Sequence, residues 1–166
     1  PQQWGAAVVS DKCFTFLRVF SAGAHSNVYL ALKKTVDINA IKSMNKANAL
    51  LKNGVAQARC ERDVLAHCGG DSVVRLYYAF QDANALYLCM EFCPGGDLGA
   101  LIAAVGSLEL SAMRTYAADI VLGLRAIHAR GYVHRDLKPA NVLIDKAGHL
   151  KLADFGLSAL GSAVAS

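Results

Sequence analysis

The apolar pattern divides this chain into a strand-rich first half and a helical second half. Residues 14–20 are mostly β-formers, and a short stretch from Ser21 to Asn27 separates them from Val28-Tyr29-Leu30. This predicts strand, turn, strand. Residues 37–45 predict a third strand, and residues 73–80 and 85–92 form a hairpin around Gln81-Asp82-Ala83-Asn84. One helix interrupts them, at residues 53–68. Glu61, Leu65 and Cys68 share a face of it, and Gly69-Gly70 stops it. Cys93-Pro94-Gly95-Gly96-Asp97 then ends the strand pattern and marks the domain boundary. Beyond it, residues 98–105 predict a short apolar helix. Residues 111–130 predict a long one, with Ser111 as N-cap and Gly131 as stop. Met113, Tyr116, Ala117, Ile120, Leu124 and Ile127 recur at helical spacing and read as core, with His128 structural. Residues 142–144 and 149–153 predict a last hairpin. Residues 1–12 and the tail from Leu157 give no clear element.

Composition changes this picture little. The chain has 166 residues, 54% hydrophobic and 18% charged, enough for a packed core and unlike a disordered chain. The net charge of +4 comes from scattered basic residues, so it is no nucleic-acid footprint. No apolar run reaches the ~18–20 residues that span a bilayer. The five cysteines, Cys13, Cys60, Cys68, Cys89 and Cys93, form no C-x-x-C pair. They read as reduced thiols of a cytoplasmic or nuclear protein. Pro1 is not a methionine and no signal pattern follows it, so the start is expected to lie inside a longer protein.

Candidate chemistry concentrates in His134-Arg135-Asp136-Leu137-Lys138-Pro139-Ala140-Asn141 and in Asp154-Phe155-Gly156. These supply two carboxylates, an ammonium and a carboxamide. The last hairpin places Asn141 just before one strand and Asp154 just after the other, so both can converge on one metal. Ala40-Ile41-Lys42 lies in the third strand. Glu61 sits on an apolar helix face and needs a cationic partner if buried, for which Lys42 is the candidate.

H-R-D-L-x-x-x-N followed by D-F-G is the signature of the eukaryotic protein kinases. From Phe14 to about Leu160 the chain resembles that family. Glu61-Arg62-Asp63, the strand Leu86-Tyr87-Leu88-Cys89-Met90-Glu91-Phe92, Gly95-Gly96-Asp97-Leu98 and Asp154-Phe155-Gly156-Leu157-Ser158 are similar to the AGC group, in its Greatwall and microtubule-associated Ser/Thr kinase branch. The resemblance implies an α+β, two-lobe fold. Residues 1–12 would be an extension, residues 13–92 a small β-rich N-lobe with one key helix, and residues 93–166 part of a mainly helical C-lobe, with the hinge at about 91–97.

It also implies roles. Asp136 would orient the substrate hydroxyl and accept its proton, and Lys138 would neutralise the γ-phosphate and suit Ser/Thr substrates. Asn141 and Asp154 would hold Mg²⁺. Lys42, positioned by Glu61, would hold the α- and β-phosphates of ATP. Ser21, Ala22, Gly23, Ala24, His25 and Ser26 would cover the phosphates. Here the family's G-x-G-x-x-G-x-V is matched only at Gly23 and Val28. Glu91 and Cys93 would offer backbone groups to adenine beside the gatekeeper Met90. Val28, Ala40 and Leu143 would sandwich the ring, and Asp97 would meet the ribose. Leu65, Leu76, His134 and Phe155 would stack into a regulatory spine. Arg135 would pair with a phosphorylated activation loop, which makes an upstream kinase an expected partner besides the Ser/Thr protein substrate.

No A-P-E motif follows within the ten residues after Gly156. The chain by itself is therefore expected to phosphorylate protein poorly and to expose apolar surface on its long helix. A nucleotide-binding module without catalysis, and a structural domain unrelated to kinases, stand as the other readings.

Overall fold

A computed structural model describes residues 9–22, 26–33, 37–51 and 54–161 of the chain. Three antiparallel strands come first: β1 (Phe14–Ala22), β2 (Ser26–Lys33) and β3 (Ile38–Asn45). Next are the helices α1 (Lys46–Leu51) and α2 (Gly54–Cys68), and the hairpin of β4 (Leu76–Gln81) and β5 (Ala85–Glu91). These strands form one sheet in the order β1-β2-β3-β5-β4. The second part holds α3 (Leu98–Val105), α4 (Leu110–His128) and four short strands. Strand β6 (Tyr132–Val133) pairs with β9 (Ala159–Leu160), and β7 (Val142–Ile144) pairs with β8 (Leu150–Leu152).

Alternation in β3 gives the sheet its two faces. Ile41 points outward into a cluster with Phe14, Ala31 and Cys89, extended by the stacked rings of Phe80 and Tyr87. Ala40 and Lys42 point the other way. The larger core lies on that side and joins both parts of the molecule. It packs Val64 and Leu65 of α2 against Leu88, Ile127, Val142, Leu152 and Phe155.

The loop between α2 and β4 is fastened to β8 backbone to backbone. Val74 N–H donates to Leu152 O at 3.0 Å, and Leu152 N–H to Ser72 O at 3.0 Å. This explains why the fourth strand starts at Leu76 rather than at residue 73: Val73 bridges Leu152 instead. Gly123 of α4 lets the helix approach this junction, since a Cβ there would stand 2.8 Å from both Leu152 Cγ and Ser72 O.

Other departures from the sequence reading are local. Helix α1 has no counterpart in it. The Asn45 side chain starts that helix, accepting from Ala47 N–H at 2.8 Å and Asn48 N–H at 3.3 Å. Ser111 lies within α4, whose N-cap is Glu109. The α4 stripe is core only in part. Ile127 is buried and Tyr116, Ile120 and Leu124 half-buried, but Met113 and Ala117 are exposed, and so is His128. Leu110, Val121 and Leu122 add to the apolar surface of this helix. The tail contains β9, which holds the segment after Gly156 against β6.

Candidate active site

The junction of the two parts gathers most of the expected residues. Lys42 reaches from β3 to α2, where its Nζ lies 2.7 Å from Glu61 Oε1 and 2.9 Å from Oε2. It also donates to Asp154 Oδ1 at 3.0 Å. Two carboxylates thus share one ammonium. Burial pushes the Glu61 carboxyl above its usual range, and Asp154 acts in the same sense, against the pull of Lys42. For Lys42 burial works toward the neutral amine, but Glu61 and Asp154 outweigh it and its pKa is raised.

The segment between β6 and β7 carries the second group. His134 is buried against Phe155, ring centroids 4.9 Å apart. One neutral tautomer satisfies it, with Nε2–H donating to Ala153 O at 3.1 Å and Nδ1 accepting from Asp136 N–H at 3.3 Å. Arg135 takes a left-handed backbone conformation, φ 64°. Its guanidinium donates to the carbonyls of Leu157 and Ser158, so in this structure it holds the segment after Gly156. Asp136 Oδ2 accepts from Lys138 Nζ at 2.8 Å and from Asn141 Nδ2 at 2.9 Å. The hydrogen bond from Lys138, then that from Asn141, keeps the Asp136 carboxyl below its usual range. The same bond holds the Lys138 ammonium above its own. Asn141 Nδ2 also donates to Asp136 O, so its amide oxygen is the atom it offers to a ligand. Asp154, at φ 58°, turns a half-exposed carboxylate toward Lys42. Ser26, Lys42, Glu61, Asp136 and Asp154 line one cleft of about 430 Å³.

Most of the residues expected around adenine lie on β2, β3 and β5 of the sheet and on β7. Ala40 pairs with Met90 in the β3–β5 ladder, and Val28 pairs with Lys42 across β2–β3. Leu143 bridges Asp97. Glu91 commits its N–H to Arg75 O at 3.0 Å, which leaves its carbonyl to a ligand. Cys93 is buried, which pushes its thiol up to about 12. Asp97 also caps α3, its Oδ1 accepting from Ala100 N–H at 2.8 Å. Ser21 and Ala22 are exposed at the end of β1. Gly23, Ala24 and His25 lie outside the described residues. Leu65 and Phe155 are buried in one core with Leu76 packed on it, and His134 continues the column.

Sequence reasoning missed Lys151. It is buried in β8 and bonded to Glu91 Oε1 at 2.9 Å. The run Leu150-Lys151-Leu152 carried only a strand alternation as its signal.

The donor set suits Mg²⁺. Among the described residues no cluster of three or more His, Cys, Asp or Glu side chains could hold a metal unaided. One carboxylate and one amide oxygen are present, and magnesium commonly takes one or two protein ligands and completes its shell with phosphate and water.

The protein kinase domain family matches residues 14–164. The serine/threonine-protein kinase cek1 of Schizosaccharomyces pombe is 48% identical over 150 residues, which is 89% of this chain and 11% of that protein. Human serine/threonine-protein kinase LATS1 is 41% identical over 152 residues, 91% of this chain and 14% of its own length. Serine/threonine-protein kinase CBK1 of Pneumocystis carinii is 44% identical over 146 residues, 87% of this chain and 29% of its own. The chain thus spans under a third of each of these relatives. It belongs to the protein kinase family, and relatives of the LATS and CBK1 kind agree with the AGC group.

Proposed function

We propose that this chain is the nucleotide-binding and catalytic portion of an ATP-dependent serine/threonine protein kinase. The observation that carries this is one juxtaposition. Lys42 is bonded to Glu61 and Asp154 on one side of a cleft, and Asp136, Lys138 and Asn141 form a second bonded group, whose Asp136 lines the same cleft. Lys42 would hold the α- and β-phosphates. Asn141 and Asp154 would hold Mg²⁺, which supplies positive charge to the phosphate oxygens. Phosphoryl transfer needs positioning and charge stabilisation more than covalent help.

The bond that forms joins the protein hydroxyl oxygen to the γ-phosphorus. The bond that breaks joins that phosphorus to the oxygen leaving with ADP. The hydroxyl proton passes to Asp136. Held below the usual carboxylate range, Asp136 is a weak base but a fixed acceptor, so its main contribution is orientation. Lys138 stands beside it to face the transferring group. The relatives' names as serine/threonine kinases support this class of acceptor.

The test is transfer of labelled γ-phosphate to Ser/Thr peptides by the protein that carries this chain, with nucleotide binding measured alongside. Asp136→Asn should retain Mg²⁺-ATP binding and lose transfer by ~10²-fold or more. Transfer that persists in Asp136→Asn, or that labels tyrosine, would contradict the proposal.

A further inference from the structure

Among the described residues, the most buried lysine outside the cleft is Lys151, 6% exposed. The chemistry proposed for the cleft gives it no task. Its ammonium bonds three segments that are far apart in sequence. It contributes from β8, contacts Glu91 at the start of the hinge at 2.9 Å, and donates to Gly70 O beyond α2 at 3.0 Å. The same Glu91 oxygen accepts Arg75 N–H at 2.9 Å. A half-buried carboxylate is held in one position by donors of this quality.

The other end of the hinge is held differently. Gly95 N–H donates to Ile144 O at 3.1 Å, and Ile144 N–H donates to Gly96 O at 2.9 Å. A Cβ at Gly95 would stand 2.6 Å from Ile144 Cβ, so the approach needs glycine. The hinge is therefore bracketed, by β7 backbone after Pro94 and, before Phe92, by the end of β5, where Glu91 pairs with Asn39, donates its N–H to Arg75 O and has its side chain latched by Lys151 of β8. Residues 92–94 lie between the two brackets. Lys151 also faces Leu143 in the β7–β8 ladder, so the strand that carries the latch pairs with the strand that carries the floor of the adenine slot.

We infer that Lys151 is a positioning residue for nucleotide affinity: through Glu91 it fixes the hinge backbone at the height the adenine edge requires. The inference rests on the reading of the cleft as an ATP site. Without Lys151 the Glu91 carboxylate keeps only the Arg75 N–H, and its side chain, already 18% exposed, turns toward water, which leaves the end of β5 to its backbone bonds alone and loosens the hinge beyond it. Lys42, Asp136, Asn141 and Asp154 are untouched by this change, so the loss falls on adenine binding and not on the phosphate end.

Two readouts test this on the chain. Without nucleotide, exchange of the amides of Phe92, Cys93, Gly95 and Gly96 should be at least about tenfold faster in Lys151→Met than in wild type, with exchange of Val142 in β7 unchanged. This arm does not depend on the cleft being an ATP site. With nucleotide, calorimetry should show ATP and adenosine both weakened about tenfold, while inorganic triphosphate is unaffected. Lys151→Arg should restore most of the affinity. The neutral pair Glu91→Gln with Lys151→Met leaves no buried charge unpaired, keeps the chain folded, and should still show the fast hinge. Unchanged hinge exchange in the folded variants overturns the inference, as does equal weakening of triphosphate and adenosine. Failure of folded wild type to bind ATP at all overturns the ATP-site reading, and the nucleotide role of Lys151 with it, whereas hinge exchange still decides the fastening.

Discussion

Replacing Lys42 with methionine removes the ammonium that two carboxylates share, and its cost should depend on pH in a definite direction. The Glu61 side chain is 3% exposed and cannot reach water without moving α2. Breaking a buried pair by removing one partner costs ~3–5 kcal/mol. Asp154 also loses its cation, but at 50% exposure it is hydrated and adds little. The carboxyl of Glu61 is already raised by burial, and Lys42 is the group holding it down. Without Lys42 it rises further. An acid whose folded pKa is raised binds protons more tightly in the native state, so its stability contribution falls as pH climbs above the ordinary carboxylate value. Lys42→Met should therefore be most damaging at about pH 8 and milder at about pH 5.5. The difference should be ~1 kcal/mol or more, since a tenfold change in proton affinity is worth ~1.4 kcal/mol. Urea unfolding of wild type and variant at both pH values measures this. Taking the difference cancels the histidines common to both. A penalty below ~1 kcal/mol, or one equal at the two pH values, would refute the argument that Glu61 depends on Lys42.

Other outcomes follow from single contacts. Gly123→Ala places a methyl against Leu152 and the Ser72 carbonyl, and should destabilise the chain by ~1–3 kcal/mol despite better helix propensity; an unchanged denaturation midpoint would contradict that packing. Cys93, pushed up to about 12 by burial, should be alkylated ~10³-fold more slowly than a free thiol near neutral pH, and rapid labelling at that residue by mass spectrometry would be the opposite result. Asn45→Ala removes the cap of α1 and should cost ~1 kcal/mol in urea unfolding, where no change would show the cap to be idle.

The sequence made most of the large elements legible because their periods are long enough to read. Leu98–Val105 and the first strand of the last hairpin appear as predicted, and the second strand of that hairpin is one residue shorter at each end. The ion pair of Lys42 and Glu61 could be anticipated because an acid on an apolar helix face needs a cation. What was hidden depended on few residues or on partners distant in sequence. Helix α1 is six residues long, too short to show a period, and only the Asn45 cap announces it. Strands β6 and β9 are two residues each and exist through each other. The α4 stripe looked uniformly apolar, yet Met113 and Ala117 are exposed while Tyr116, Ile120, Leu124 and Ile127 meet the larger core, so periodicity located a face without showing what covers it. Lys151 and Asp97 show the same limit for polar groups. A strand lysine looks like a surface residue until the hinge carboxylate is found above it, and an aspartate before a helix can serve both as a cap and toward a ligand.

The most direct test of the account is calorimetric titration of the chain with ATP, with and without Mg²⁺, in wild type and in Asp154→Asn. The account predicts that Mg²⁺ strengthens ATP binding to wild type by about tenfold or more, and that Asp154→Asn abolishes this gain while leaving adenosine binding unchanged. A folded wild-type chain whose ATP affinity is indifferent to Mg²⁺, or an Asp154→Asn variant that keeps the full gain, would contradict the placement of the metal and phosphates between Lys42, Asn141 and Asp154.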